Sequence, residues 1–192
     1  MPRPNAPFYV GTTRPGSVGW TRIAVTLLAG AVLVVVMATR PQPLAPVLLV
    51  SAAIVFAGLA LWTWMCQWTR FIVDEHGVTV SLGGFWPRPP WPLQDFRTVQ
   101  LREIPPSTIG VTVGGYGWRR GRVMAARPAD LRPVGRGKIF TTADVQRRSR
   151  ILVTRAGTMV EIVGRGKSDY LFSPTDPIAA AEAVEQAIRA RR

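Results

Sequence analysis

Two uncharged apolar runs near the N-terminus constrain this chain more than any other feature. Residues 23–39 read IAVTLLAGAVLVVVMAT, 17 positions without a charge, and residues 44–66 read LAPVLLVSAAIVFAGLALWTWMC, 23 positions without one. A bilayer core about 30 Å thick is crossed by roughly 20 helical residues rising about 1.5 Å each. The second run is long enough outright. The first is long enough once Trp20 and Thr21 join it and Arg22 extends its guanidinium to the headgroups. Neither run carries a polar stripe at helical spacing, so neither predicts the surface helix of a soluble domain. A cleaved signal peptide is the rival for the first run. Against it, Met37-Ala38-Thr39-Arg40 makes a poor small-residue cleavage site, and a second apolar run follows at once.

Arg40-Pro41-Gln42-Pro43 connects the runs, and two prolines in four residues predict a helix break and a tight hairpin. The chain is therefore expected to cross and return. Positions 1–22 carry three Arg and no acid, the connection one Arg, and positions 67–192 the other 20 of 24 basic residues. The positive-inside rule then predicts a cell (inner) membrane location with both termini cytoplasmic: a cytosolic tail over 1–19, a transmembrane helical hairpin over 20–66 and a cytosolic domain over 67–192. Trp20, Trp62, Trp64 and Trp68 fall at the cytosolic ends of the spans, where an aromatic belt anchors helices; core packing is the alternative for them. Gly30, Ala31, Ala53, Ala57 and Gly58 allow close helix approach, within one chain or in a homodimer.

Beyond the runs the period of the pattern is two. Val78, Val80 and Leu82 alternate with Thr79 and Ser81, and a partner strand over 68–73 is joined to them through the turn Asp74-Glu75-His76-Gly77. Similar alternation covers 98–102 and 109–113. Residues 151–154 and 158–163 flank Arg155-Ala156-Gly157 and predict a second hairpin, followed by a short strand at 170–172. The period then becomes helical. Asp176 is a good N-cap, Pro177 fits the first helical position, and Ile178, Ala181, Val184 and Ile188 share one face. Six or seven strands closed by a C-terminal helix predict a small mainly-β barrel, with a mixed α+β sheet as the competing architecture.

The segments FIVDEHGVTVSLG, PLQDFRTVQL, GGYGWR, RILVTRAGTMVEI and YLFSPTDPIAAAEAV, in that order after an apolar hairpin, resemble the bacterial PH-like-domain membrane proteins, in particular actinobacterial members with two spans. The resemblance implies a seven-strand split barrel capped by a helix, and no activity. Phosphoinositide-binding PH domains use a basic loop between their first strands. The corresponding turn here, Asp74-Glu75-His76-Gly77, is acidic.

The formal net charge is +13, and it is concentrated in residues 119–150, which hold ten basic side chains against Asp130 and Asp144. With Pro128, Pro133 and three Gly, this stretch reads as an inserted loop between strands. Its candidate contacts to lipid or another anion are Arg119, Arg120, Arg122, Arg136, Lys138, Arg147, Arg148 and Arg150. Near an anionic surface each basic residue contributes about 1 kcal/mol, screened beyond about 8 Å. A solvated loop that merely obeys the positive-inside rule is the rival. Nucleic-acid binding is disfavoured because interleaved aromatics for base stacking are lacking. The segment FWPRPPWP over 85–92 predicts a stiff amphipathic loop, with Trp86 and Trp91 as further interface anchors or as rings covering one mouth of the barrel.

One Cys and one His exclude an intramolecular disulfide, a Cys/His zinc cluster and most nucleophilic machinery. Asp74, Glu75 and His76 read as a polar turn more readily than as a surface metal triad. Gly166-Lys167-Ser168 ends like a phosphate loop, but Glu161 stands where that motif needs Gly and a strand follows where it needs a helix. No carboxylate pair presents itself as an acid/base couple, and no cofactor is expected. The sequence thus predicts a non-enzymatic integral membrane protein presenting a PH-like domain at the inner leaflet and touching anionic lipid or an acidic partner. A scaffold or assembly subunit of a cell-envelope complex is the alternative.

Overall fold

The computed structural model describes residues 6–39, 45–106, 116–135, 138–141, 148–166 and 168–191. The proline connection at 40–43, the expected strand at 109–113, and Arg136 and Arg147 lie outside the described residues. The two apolar runs form helices α1 (Ser17–Ala38) and α2 (Ala45–Met65), of 22 and 21 residues. At about 1.5 Å per residue each is about 32 Å long. They pack on each other at Gly30, where even a Cβ would come within 2.7 Å of Phe56. Little else covers them: only 6% of the most apolar stretch of either helix is buried. A core helix of a soluble domain would be mostly buried. Both are long and apolar enough to cross a membrane.

The domain begins before α1, which corrects the reading of 1–19 as a tail. Strand β1 (Tyr9–Thr13) lies antiparallel to β2 (Thr69–Asp74), from Tyr9 opposite Val73 to Thr13 opposite Thr69. Its buried positions are Gly11 and Thr13, so no apolar alternation announced it. Gly11 lies against the Phe71 ring with no room for a Cβ. Thr13 Oγ1 donates to the Gln67 carbonyl at 2.8 Å and lies 2.8 Å from Thr69 Oγ1. The hairpin from β2 to β3 (Gly77–Leu82) forms as the sequence predicts. Asp74 Oδ1 accepts from the backbone N–H of His76 and of Gly77, and Gly77 has φ +134° with the Trp91 carbonyl where a Cβ would be. Short strands β4 (Trp86–Pro87) and β5 (Trp91–Pro92) both pair with β3 and complete a five-stranded sheet.

A second sheet of six strands holds β6 (Phe96–Ile104), β7 (Gly117–Gly121), β8 (Leu131–Pro133), β9 (Arg148–Val153), β10 (Gly157–Gly164) and β11 (Ser168–Phe172), in the order β7-β9-β11-β10-β6-β8. The hairpin expected around Arg155-Ala156-Gly157 does not form. Strand β10 turns back into β11, and β11 slots between β9 and β10, parallel to β9. The three-residue link steps over one strand, and Thr154 is held there because its N–H donates to Ser173 Oγ at 2.8 Å. Local residues signal a turn equally well in both cases; only the placement of β11 separates them.

The expected inserted loop at 119–150 is corrected as well. Its two ends are strands β7 and β9, and β8 within it pairs with β6 at the opposite edge of the sheet. Five strand spacings separate those edges, about 24 Å. The intervening chain is a strap over the outer face of the sheet. Polar side chains buried on that face hold it. Gln100 Nε2 donates to Glu161 Oε2 at 2.9 Å and to the Phe140 carbonyl at 3.1 Å, while Phe140 N–H donates back to Gln100 Oε1. Arg102 donates to Glu161 Oε1 at 3.3 Å and to the Met124 carbonyl at 2.6 Å. Arg97 lies 4.2 Å over the Phe140 ring.

Helix α3 (Pro177–Ala190) starts as predicted, with Asp176 Oδ1 accepting from the Ala179 N–H at 3.0 Å. Ala180, Ala181, Ala183, Val184, Ala187 and Ile188 are buried, whereas Ile178, expected on that face, is exposed in the first turn. The helix covers a core drawn from both sheets, in which Trp91, Phe71, Tyr170 and Phe172 form a group of touching rings. The domain is therefore a mixed β structure of two sheets with a C-terminal helix.

Removing one member of a buried ion pair leaves the other uncompensated, at a cost of about 3–5 kcal/mol, whereas replacing both with apolar groups is often close to neutral. Glu161→Ala is expected to destabilise the domain by that amount in denaturant titration of the detergent-solubilised protein. Arg102→Met with Glu161→Leu is expected to recover most of the loss.

Candidate functional site

Strands β7, β9 and β11 are neighbours, and their registers set out three rungs on one face. The first rung is Trp118, Leu152 and Phe172, which belong to the core or pack on it. Two residues along each strand the rung is Arg120, Arg150 and Tyr170. The next brings Arg148 opposite Ser168, with Arg122 just past the end of β7. The same face thus passes from apolar core to guanidinium within three alternate positions. There it opens into a cleft of about 450 Å³ lined by Arg120, Arg122, Arg148 and Arg150, with Gly121, Ser149 and Ser168 completing the wall.

Arg150 lies 5.7 Å over the ring of Tyr170, an arrangement that favours a cation on the aromatic face. The Tyr170 hydroxyl donates to Asp95 Oδ2 at 3.3 Å. Burial first, and then the neighbouring Asp95 carboxylate, push the Tyr170 phenol up to about 12, against the opposing pull of Arg150. Among the described residues no carboxylate forms an ion pair with Arg120, Arg122, Arg148 or Arg150; the ion pairs are His76 with Asp74, Arg102 with Glu161 and Arg189 with Glu185. Four guanidiniums lining one cleft repel one another, and an oxyanion between them would accept several charge-assisted hydrogen bonds.

Of the eight basic residues singled out in the sequence, four meet in this cleft. Arg119 alternates to the opposite face, in register with Ile151, and burial lowers the pKa of its guanidinium. Lys138 is exposed on the chain that follows β8, two residues before the pinned Phe140. Arg136 and Arg147 lie outside the described residues. Ser168 and Tyr170 were not legible as site residues, because a parallel neighbour brought in from 20 positions along the chain leaves no local pattern.

The tryptophans divide. Trp20, Trp62 and Trp68 are exposed at the domain ends of the helices, and Trp64 packs edge-on against Trp68 with centroids 4.6 Å apart. Trp86 is exposed and lies 6.3 Å from Trp62, beside the exposed Phe85. Trp91 corrects the reading of an interface anchor: it is fully buried, stacked on Trp118 at 5.9 Å and touching Tyr170 and Phe172. The two tryptophans of FWPRPPWP thus face opposite environments. Among the described residues no cluster of three metal-ligating side chains occurs, and Asp74 is occupied in its turn.

No protein-family model, curated protein or solved structure matches the chain.

The folded state holds the Tyr170 proton more tightly than the unfolded chain, whose phenol ionises near pH 10. The associated stability is whole below about pH 10 and is lost as pH rises toward 12. In a spectroscopic titration of phenolate absorbance, Tyr170 is expected to ionise last of the three tyrosines, and Tyr170→Phe is expected to remove that final step.

Proposed function

We propose that this chain is a non-enzymatic integral membrane protein. In this reading α1 and α2 cross the membrane as a hairpin, both termini are cytoplasmic, and a domain of PH-like kind is held at the inner leaflet. There its arginine-rich segment binds anionic groups, those of lipid or of an acidic partner. The observation that carries the reading is the bareness of the helices. Val25, Leu28, Val35, Val47, Ile54 and Val55 are each more than half exposed, and nothing in the described chain covers them. Burying a side chain of this size is worth about 1.5–3 kcal/mol, so two such helices left in water would drive association or insertion. A bilayer supplies the missing cover.

Charge and aromatic placement support the orientation. Trp20, Trp62, Trp68 and Trp86 are exposed around the domain end of the helical pair, where a headgroup layer would lie. The 20 basic residues of 67–192 would then stay on the cytoplasmic side. The scaffold reading rests on a different observation. Gly30 is used up against Phe56, but Gly58 has no atom within 4 Å of the place a Cβ would take, so that face of α2 is free for a second helix.

The protein is expected to remain in the membrane pellet after alkaline carbonate washing. A reporter fused after Arg192 is expected to be active only in the cytoplasm. Recovery of the native protein in the soluble fraction without detergent, or reporter activity outside, would refute the reading.

A further inference from the structure

The backbone at the base of the helices sets how far along the strands the arginine cleft stands from them. At the end of α2, the Cys66 carbonyl accepts from Trp118 N–H at 3.2 Å, which ties the start of β7 to the helical pair. At the start of α1, Gly16 N–H donates to the Thr154 carbonyl at 3.2 Å, which ties the end of β9 to the same place. The two strands are antiparallel, so β7 leaves the helices and β9 approaches them. With about 3.3 Å per strand residue, Arg120 and Arg122 lie about 7 and 13 Å along β7 from Trp118. Arg150 and Arg148 lie about 13 and 20 Å along β9 from Thr154. The aromatic side chains at the helix ends mark the opposite end of the domain: Gly83 N–H donates to the Met65 carbonyl, and the adjacent Phe85 and Trp86 are exposed beside Trp62. A headgroup layer is about 5–8 Å deep on each side of the hydrocarbon. Measured along the strands, the outer rung of the cleft is farther from the helix junctions than that depth.

We propose that this cleft binds the phosphate group of a solute taken from the aqueous phase, not from the bilayer that holds the helices. This rests on the spanning reading for where the bilayer lies; the binding chemistry rests on the cleft alone. Arginine is the side chain whose planar fork meets two oxygens of a phosphate at once, and four such forks call for an anion of more than one negative charge. Ser168 stands on the same rung as Arg148 and adds a hydroxyl at the rim. The Tyr170 ring lies 5.7 Å from the Arg150 guanidinium, a cation–π contact that restrains this side chain of the cleft. The volume of about 450 Å³ is that of a small-molecule site, with room for a phosphate and the group that carries it.

The test uses the full chain in nanodiscs of zwitterionic lipid, titrated with pyrophosphate by calorimetry and by thermal unfolding. One saturable site and a raised unfolding temperature are expected. Arg150→Gln and Arg120→Gln are each expected to weaken binding about tenfold or more. Arg122→Gln, which lies past the end of β7, gives the same readout if a strand variant fails to fold. Arg14→Gln, at the helix end of the domain, is expected to leave affinity unchanged. Nanodiscs containing phosphatidylglycerol are expected to bind pyrophosphate within about threefold of the zwitterionic ones at physiological salt. Equal affinity in the wild type and all three cleft variants would overturn the proposal. So would loss of pyrophosphate binding in the anionic nanodiscs, which would make the lipid headgroup the occupant. Failure of the spanning reading is seen separately, as solubility without detergent, and leaves the calorimetric arm intact.

Discussion

The pairing of β1 with β2 is the constraint on which the rest of the architecture depends. These strands are the last structure before α1 and the first after α2, and they run antiparallel over five residue pairs. The helical pair is thereby closed at its base by a sheet. Thr13 reinforces the closure through the Gln67 carbonyl and Thr69 Oγ1, both buried beneath the helices. Further backbone bonds from Gly16 to Thr154 and from Trp118 to Cys66 carry the same junction into the second sheet. Each is a directional contact between a helix end and a strand end, so the helices are set against both sheets by bonding and not by a flexible linker.

The second sheet solves a different problem. Its inner face is core, but its outer face carries Gln100, Arg102 and Glu161, which are costly to bury unpaired. The strap between β7 and β8 and the return toward β9 supply backbone partners at Met124 and Phe140. The described parts of the basic segment around Met124 and Phe140 are thus laid down on the sheet by the polar groups they cover. A consequence is that its two ends, β7 and β9, come together as neighbours. Arginines about 30 positions apart in sequence then share one rung.

Legibility followed the range of the interaction. The helices were readable because a bilayer-length apolar run needs no knowledge of its neighbours. So were the β2–β3 turn, capped by Asp74, and the start of α3 at Asp176, because each cap reaches only two or three residues. Strand β1 was not readable, since its buried positions are Gly11 and Thr13 and its partner lies 60 residues away. The fate of FWPRPPWP was half readable: its amphipathic composition was plain, but which ring entered the core depended on the ring group formed by Trp118, Tyr170 and Phe172.

By itself the sequence determined two apolar helices, a β-rich domain after them, a terminal capped helix and a concentration of basic residues within that domain. These rest on periodicity, capping and charge, which act over a few residues. The tertiary structure alone decided that the N-terminal residues join the domain and that β11 separates β9 from β10. It alone sorted the basic side chains, gathering Arg120, Arg122, Arg148 and Arg150 and turning Arg119 away. The physical reason is that strand pairing is a contact between distant segments, and a shift of one residue in register sends a side chain to the other face.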